Sequence, residues 1–589
     1  MSLSEETSSP RRWRFAAVTG LAGWLAVAAF GRPAGFGAFW GLGGTVLFAV
    51  LVLVPLAADM AARPDREGNQ PQPWRMAAWL QLPAAAGAVA AVLAAPGSFA
   101  AVTGASLWFV QTLLLAGFGF TRLAWHGMLC VEELVITAGF LQLPVGGFWL
   151  LAHAAGWSLG FDSLIVLLTA IHFHYAGFLA PVVAGLVGRL VPWTSGWPRK
   201  LYRPGALSIA AAPPAIGLGI AASPALEVAA VSLLVIGFGV FAVTLLAFVV
   251  PRLGTRLPQM GLATAGMALF ATMALAAWYA LGEFGWAAPA PLAVMARAHG
   301  WLNAYGFATL GLLSLARLRP APRLAAPWPP FSRLRAAGRV GSDFFERRGL
   351  RVSREPAARG LVDDLGAHAR PDFDPRTIHP TIRHFYEQTA QWQLRVEAAW
   401  QPGWRWAGRI FRVFAGKTGQ LNLPRAVVTE HEMEGRLLDL SDAADGRTRV
   451  RGWVRCFRET AQPVYVAAYS EHRHAGVTYM NIAFPLPGMN LTSVLRFDHA
   501  PGGAVQLTSC PGAGRGEDEG VYLVGRNWRL RLPLQETIAV RAGVEANGPA
   551  CRAGHDMWLF GLRYLRLEYV MTPVGPVDTG GREPSAASR

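Results

Sequence analysis

The stretch LLTAIHFHYAGFLAPVVAGLV, Leu167 to Val187, sets His172 and His174 inside an apolar run. An imidazole in that setting supports three kinds of chemistry. It can stay neutral, satisfied by a backbone carbonyl or a hydroxyl. It can relay a proton or an ion, because its ordinary pKa of about 6.5 lies near neutrality. It can ligate a metal ion or a haem iron. Spacing limits the last of these. Residues i and i+2 of a regular helix point about 200° apart, so His172 and His174 do not share one ion. Pro181 lies too far along to change that. Other ionisable groups stand in apolar runs too. Glu132 and Glu133 open one run and His153 closes it. MARAHGWLNAYGF carries Arg297, His299 and Asn303, and the i, i+4 pair His299 and Asn303 shares a face. His153, one of the two mid-run histidines and His299 are expected to converge in one half of a bundle. Glu132 and Glu133 would line a vestibule in the other half. These seven residues, His153, His172, His174, His299, Asn303, Glu132 and Glu133, form the candidate polar or ligand-binding set. No catalytic residue is assigned. No cofactor is expected; the alternative is haem or a metal ion on His172 or His174 with His299. HExxH and HxxxH are absent from this half of the chain.

The elements that must carry these groups follow from composition. Of 589 residues 53% are hydrophobic and 15% charged, against about a quarter charged in an ordinary soluble protein. The charge is unevenly placed. Residues 1–320 hold 17 Lys plus Arg and 10 Asp plus Glu, leaving 36 and 27 for the other 269. A helix needs about 20 apolar residues to cross a bilayer. Ten runs qualify, near 14–30, 38–58, 76–95, 99–120, 129–152, 163–188, 205–222, 227–250, 260–281 and 299–316. With the N-terminus inside, fifteen basic residues fall in inside segments, among them Arg12, Arg75, Arg122, Arg189 and Arg252, and only Arg32 and Arg297 outside. That bias, and an even span number, place both termini in the cytoplasm of a bacterial inner membrane. Gly and Ala are plentiful in the runs, as close helix packing in lipid requires. Pro144, Pro181 and Pro214 are expected to kink or break their helices locally. The net charge of +16 suggests nucleic acid, but the arginines flank apolar segments and no nucleic-acid partner is expected. Four cysteines without a CxxC pair make a structural zinc site unexpected.

After residue 320 the pattern changes. Residues 316–360 hold eleven arginines and three acids, a basic Pro-rich flank suited to anionic headgroups. From His379 to Trp400 helical spacing predominates, with Val396 and the aromatics leaving a strand open. Beyond Arg425, period-two stretches such as RTRVRGWVRCF, TSVLRFDH and MWLFGLRYLRLEYVM predict strands. DAADG and HRHAG suit hairpin loops. An antiparallel sheet that curls or closes hides its edges. Its aromatics, Trp453, Tyr465, Tyr469, Tyr479, Phe497, Trp528, Trp558, Phe560 and Tyr564, would line or fill it. The expected architecture is a polytopic α-helical membrane bundle of about ten spans (1–320), a basic juxtamembrane linker (321–375), a cytoplasmic α+β domain rich in antiparallel sheet (376–575) and a disordered tail (576–589).

HFHYAGF, the later HGWLNAYGF, and HPTIRHFYEQTAQWQLRVEAAW continuing to GQLNLPRA resemble the YndJ-like family of bacterial integral membrane proteins. The resemblance implies a multi-pass membrane location and transfers no activity to any histidine. No P-loop, GxSxG or GxGxxG in a strand–helix context points to an enzyme. The expected role is binding or moving a small hydrophobic or amphipathic molecule, with membrane lipids as surroundings. The alternatives are a haem or metal oxidoreductase and a signalling or assembly protein with a protein partner. The arginine bias yields a direct test of orientation. A green fluorescent reporter after residue 589 should fluoresce, and alkaline phosphatase at the same point should be inactive; the reverse result removes this topology.

Overall fold

Backbone N–H and C=O groups taken out of water must find partners inside the fold. The chain meets that need in two ways. The computed structural model describes residues 9–30, 39–62, 70–128, 130–191, 196–283, 288, 291, 294–322, 329–422, 431–458, 462–511, 518–545 and 548–574. Arg32, Arg63, Arg66 and the tail 576–589 lie outside the described residues. Two compact units divide the chain, Met1–Ala326 and Pro327–Arg589.

The first unit uses helices. Ten rods fall on the ten apolar runs: α1 (Ser9–Phe30), α2 (39–61), α3 (Gln72–Leu93), α4 (Phe99–His126), α5 (Val131–Ala155), α6 (163–188), α7 (Gly196–Ala222), α8 (224–252), α9 (Arg256–Glu283) and α10 (295–318). Among the described residues, seven of them, α2 to α6, α8 and α9, have the length and mean hydropathy to cross a membrane. Three rods widen to π-helix just ahead of a proline: 49–53 before Pro55, 173–179 before Pro181 and 245–249 before Pro251. Proline lacks an N–H and its ring clashes with the carbonyl four residues back. A turn closed i to i−5 relieves the clash, as where Ala180 N–H donates to Tyr175 O. The widened turn before Pro181 reaches back to Phe173 and includes His174. At Pro144 and Pro214 the helices run on as α.

Close backbone approach depends on missing side chains. A Cβ on Gly104 of α4 would lie 2.2 Å from the carbonyl oxygen of Gly87 in α3. Both glycines therefore set the spacing of that helix pair.

The second unit uses a closed sheet. Its strands are β1 (Trp392–Trp400), β2 (His431–Asp439), β3 (Arg451–Phe457), β4 (Pro463–His474), β5 (Val477–Leu486), β6 (Met489–Ala500), β7 (Ala504–Thr508), β8 (Gly520–Val524), β9 (Arg529–Arg531), β10 (Leu534–Glu545), β11 (Gly548–Leu559) and β12 (Leu562–Pro573). Ten of them form an antiparallel ring, β1-β2-β3-β4-β5-β6-β7-β10-β11-β12, with β12 pairing back to β1. One edge of β6 pairs with β5; its other edge takes β8 at 490–494 and β7 at 496–500. Closure removes the exposed edges an open sheet would carry. Strand alternation sets the inside. Trp392, Leu394, Val396 and Ala398 are buried while Gln393, Arg395 and Glu397 are exposed. Register carries this face around the ring, from Val396 to Tyr569, Ala553, Val540 and Val505.

One end of the barrel is filled. Helix α11 (Pro380–Glu387) sets Phe385 5.6 Å from Trp392 and Tyr386 5.0 Å from Phe497 by ring centroids. The helical stretch expected to reach Trp400 thus stops at Glu387, and the period-two burial of β1 takes over. Residues 329–350, expected within a linker, pack on the outer face. Leu334, Val340 and Phe345 meet Leu438, Val454 and Val466 there. Ser332 Oγ donates to Asp445 Oδ2 at 2.6 Å and Arg447 pairs with the same carboxylate at 2.6 Å. HRHAG makes the expected tight turn, with positive φ at Ala475 and Gly476, whereas DAADG winds a short helical turn, Asp442–Asp445. The glycine contact is testable. Gly104→Leu must push α3 from α4 and should cost about 1–3 kcal/mol, whereas Gly23→Leu, which meets open space, should be near neutral; thermal unfolding of the full chain in detergent compares the two.

Candidate functional site

Charge buried in an apolar bundle must be answered by charge. Glu133, at the start of α5, accepts from two guanidiniums. Arg122 Nη2 reaches Oε2 at 2.6 Å; Arg189 Nε and Nη2 reach Oε1 and Oε2, both at 2.9 Å. All three side chains are essentially inaccessible. Spare donors go to carbonyls, Arg122 Nη1 to Ala61 O at 2.6 Å and Arg189 Nη1 to Pro320 O at 3.4 Å. The cluster thus joins the ends of α2, α4 and α6 to the start of α5. Arg122 and Arg189 flank apolar runs in the sequence, yet their side chains turn inward to Glu133. Glu132 is buried on the side of α5 facing Gly188.

The histidines separate. Trp108 Nε1 donates to His174 Nε2 at 3.0 Å, which places the His174 proton on Nδ1, 2.8 Å from Ala170 O. Both nitrogens are used, and the buried ring packs on Gly146. His172 faces the other way, exposed, with Nδ1 2.8 Å from Leu168 O. His299 Nδ1 lies 3.0 Å from Thr272 O, and Asn303 Nδ2 lies 3.1 Å from His299 Nε2. His172 and His299 are close enough to feel each other's charge. His153, at the end of α5, neighbours Ser163 at the start of α6. The structure therefore brings His299 and Asn303 into contact, with His172 on the neighbouring helix. It leaves His174 with Trp108, His153 with Ser163, and Glu133 with its arginines. Among the described residues no group of three or more His, Cys, Asp and Glu is placed to hold a metal ion. Gln81 and Gln111, which the sequence reading passed over, are hydrogen-bonded to each other at 2.9 Å between α3 and α4. Their amides inside apolar runs were the available signal.

The barrel interior holds a second polar group. Arg455 of β3 points inward and is 3% exposed. Its guanidinium carbon lies 4.3 Å from the ring centre of Trp453, 5.4 Å from Tyr465 and 5.8 Å from Tyr569. Nη1 donates to Tyr465 Oη at 3.2 Å. Nε and Nη2 have no hydrogen-bond partner, and no ion pair engages Arg455 among the described residues. Also facing the barrel interior, Glu536 Oε2 meets His555 Nε2 at 2.8 Å. Burial pushes the Glu536 carboxyl up, but hydrogen bonding and charge from His555, with Ser493, outweigh it and hold it below the usual range. Burial raises the Tyr569 phenol, with Arg455 pulling the other way, so Tyr569 stays a neutral donor. At the end away from α11, the inward-facing Phe457, Tyr465, Phe484, Ile538 and Met557 are only partly buried. Of the aromatics expected inside, Trp453, Tyr465, Tyr469, Phe497 and Tyr564 are there. Tyr479 packs outside with Tyr522, and Trp528 and Phe560 are exposed.

A model of the YndJ-like protein family matches residues 45–307. The Bacillus subtilis (strain 168) protein "Uncharacterized membrane protein YndJ" is 33% identical over 499 residues, covering 83% of this chain and 87% of that protein. This chain belongs to the YndJ-like family. No solved structure matches it. The family model spans every membrane-unit candidate from Glu132 to Asn303. The 499 aligned residues exceed the length of either unit, so the Bacillus relative shares part of both. The Glu133 cluster gives the YndJ-like bundle a measurable weak point. Glu133→Ala strands two buried cations and should cost about 3–5 kcal/mol, while replacing Glu133, Arg122 and Arg189 together by Met should recover most of it. Melting temperatures of the purified variants decide this; equal losses would show that the charges do not act as a unit.

Proposed function

We propose that this YndJ-like membrane protein binds or moves a small amphipathic molecule, taken into the barrel with its anionic end at Arg455. The observation that carries the reading is the state of that guanidinium. It is buried, faces three aromatic rings, and keeps two N–H-bearing nitrogens without acceptors among the described residues. Leaving buried donors unsatisfied costs about 1–3 kcal/mol, more for a charged group. A carboxylate or phosphate would answer them, and guanidinium suits either. The barrel supports an apolar chain on the same ligand. Its interior is Leu, Val, Met and aromatic, one end is filled by α11, and the other shows partly accessible rings. Small barrels hold ligands in this way. The membrane unit would deliver or receive the molecule, with His172, His299 and Asn303 as its polar contacts. The C-terminal unit would then stand on the cytoplasmic side of the inner membrane.

The test uses the full chain in nanodiscs and native mass spectrometry. Dodecanoate or dodecyl phosphate should bind saturably. Arg455→Gln should weaken that binding about 10–100-fold, the worth of a charged hydrogen bond, and leave dodecanol little changed. Saturable dodecanol binding with no preference for the anions would remove the role of Arg455. No saturable binding of any of the three would remove the amphiphile reading itself.

A further inference from the structure

Between β1 and β2 the chain forms a helix the strand pattern did not foreshadow, α12 (Arg405–Thr418), RWAGRIFRVFAGKT. One face is packed. Gly408 lies under Trp400, where a Cβ would come within 2.9 Å of the indole, and Ala415 and Thr418 are buried. Thr418 O accepts from Val340 N at 2.8 Å. The opposite face is exposed and apolar. Trp406, Ile410, Val413 and Phe414 are 43–63% exposed, and at about 100° per residue they fall within an arc of about 100°. Arg405, Arg409 and Arg412 lie along one side of that arc and Lys417 lies within it at the C-terminal end of the helix, all exposed. Residues 401–420 contain no acid. None of the four cations has an ion-pair partner among the described residues.

A second apolar feature lies at the same end of the barrel. The β11–β12 turn exposes Phe560 and Leu562. Gln401 N donates to Tyr564 O at 3.1 Å, and Trp404 sits 6.0 Å from Tyr564, which ties the turn's strand to the root of α12. Phe560 has φ 52, a left-handed conformation that favours Gly or Asn. The fold therefore holds a large apolar ring outward at a turn tip, where a small polar residue would be less strained.

We infer that α12 and the Phe560–Leu562 turn form a docking surface for an anionic lipid bilayer. An exposed apolar stripe edged by cations is the pattern of helices that lie in the headgroup region. The unpaired positive charge matches anionic headgroups, and indole, leucine and phenylalanine rings or chains suit the boundary between headgroup and acyl chain. An acidic protein surface would meet the charges but leave the stripe uncovered. A second copy of this helix would set like charges together. The inference is independent of what the barrel lumen holds.

The experiment places the photocrosslinker p-benzoylphenylalanine at position 410 in the full chain, reconstituted in nanodiscs of phosphatidylglycerol and phosphatidylcholine. The expected result is a lipid adduct at 410 by mass spectrometry, reduced several-fold when Arg405, Arg409 and Arg412 are changed to Gln. The same crosslinker at Arg376, an exposed residue at the α11 end of the barrel, should give no adduct. Crosslinks from 410 to protein, whether another copy or this chain, would overturn the inference. So would equal lipid labelling at 410 and 376, or no lipid adduct at 410.

Discussion

A charge withdrawn from water needs a counterpart, and the two units meet that constraint differently. In the bundle, Glu133 takes both Arg122 and Arg189, and the surplus donors end on carbonyls of Ala61 and Pro320. Four helix ends are thereby fixed to one carboxylate. Hydrophobic association alone would not register them, because lipid chains are as apolar as leucine. In the barrel, Arg455 meets ring faces. Aromatic quadrupoles attract a cation but do not accept its N–H groups directionally. The first arrangement is complete in itself. The second leaves capacity for a ligand, and that difference separates a structural charge from a candidate binding charge.

The same accounting demotes His174. Two histidines in HFHYAGF invite a shared chemical role, yet one is satisfied on both nitrogens by Trp108 and Ala170. Its surroundings follow from a proline seven residues on. Pro181 forces a π turn that reaches Phe173, and Gly146 of α5 offers the imidazole a surface without a Cβ. His172, just before that turn, faces outward and bonds Leu168 O of its own helix. The polar contacts proposed for a ligand in the membrane unit are therefore His172, His299 and Asn303, from α6 and α10, and not His174.

What could be read in the sequence was what is local. Apolar run length located all ten rods, because crossing length is a property of one segment. Period two located β3 to β6, β8, β9, β11 and β12 for the same reason; β1 was hidden behind the helical spacing of 379–387, and β2, β7 and β10 were not picked out. What could not be read was pairing. Nothing in NLTSVLRFDHA says that β6 will hold β5 on one edge and split the other between β7 and β8, because edge choice is settled by distant segments. Arg122 and Arg189 looked like ordinary flanking charges because a sequence does not reveal which arginine folds back onto Glu133. Arg455 looked like one more arginine in a strand; only register shows it facing inward. Helix α12 was within reach. Trp406, Ile410, Val413 and Phe414 recur at helical spacing, but Gly403, Gly408 and Gly416 mask it, and an exposed apolar face looks like noise when a core is being sought.

Placing the lumen, the rim and α12 in one picture constrains how a ligand would travel. An amphiphile with a long chain is costly to expose to water, at about 0.8 kcal/mol per methylene. A barrel that loads from solution would have to wait for rare free monomers. A barrel whose accessible end carries Trp406, Ile410, Phe560 and Leu562 can stand with that end at a lipid surface, so the chain need never be fully hydrated. On the proposed reading Arg455, in the wall near that end, would meet the anionic head once the chain had entered beside Phe484 and Met557. The filled end, closed by Phe385 and Tyr386, makes passage straight through unfavourable. A barrel of that kind would take up and give back a ligand through one mouth, as the proposed receiver or sensor would, and not act as a conduit.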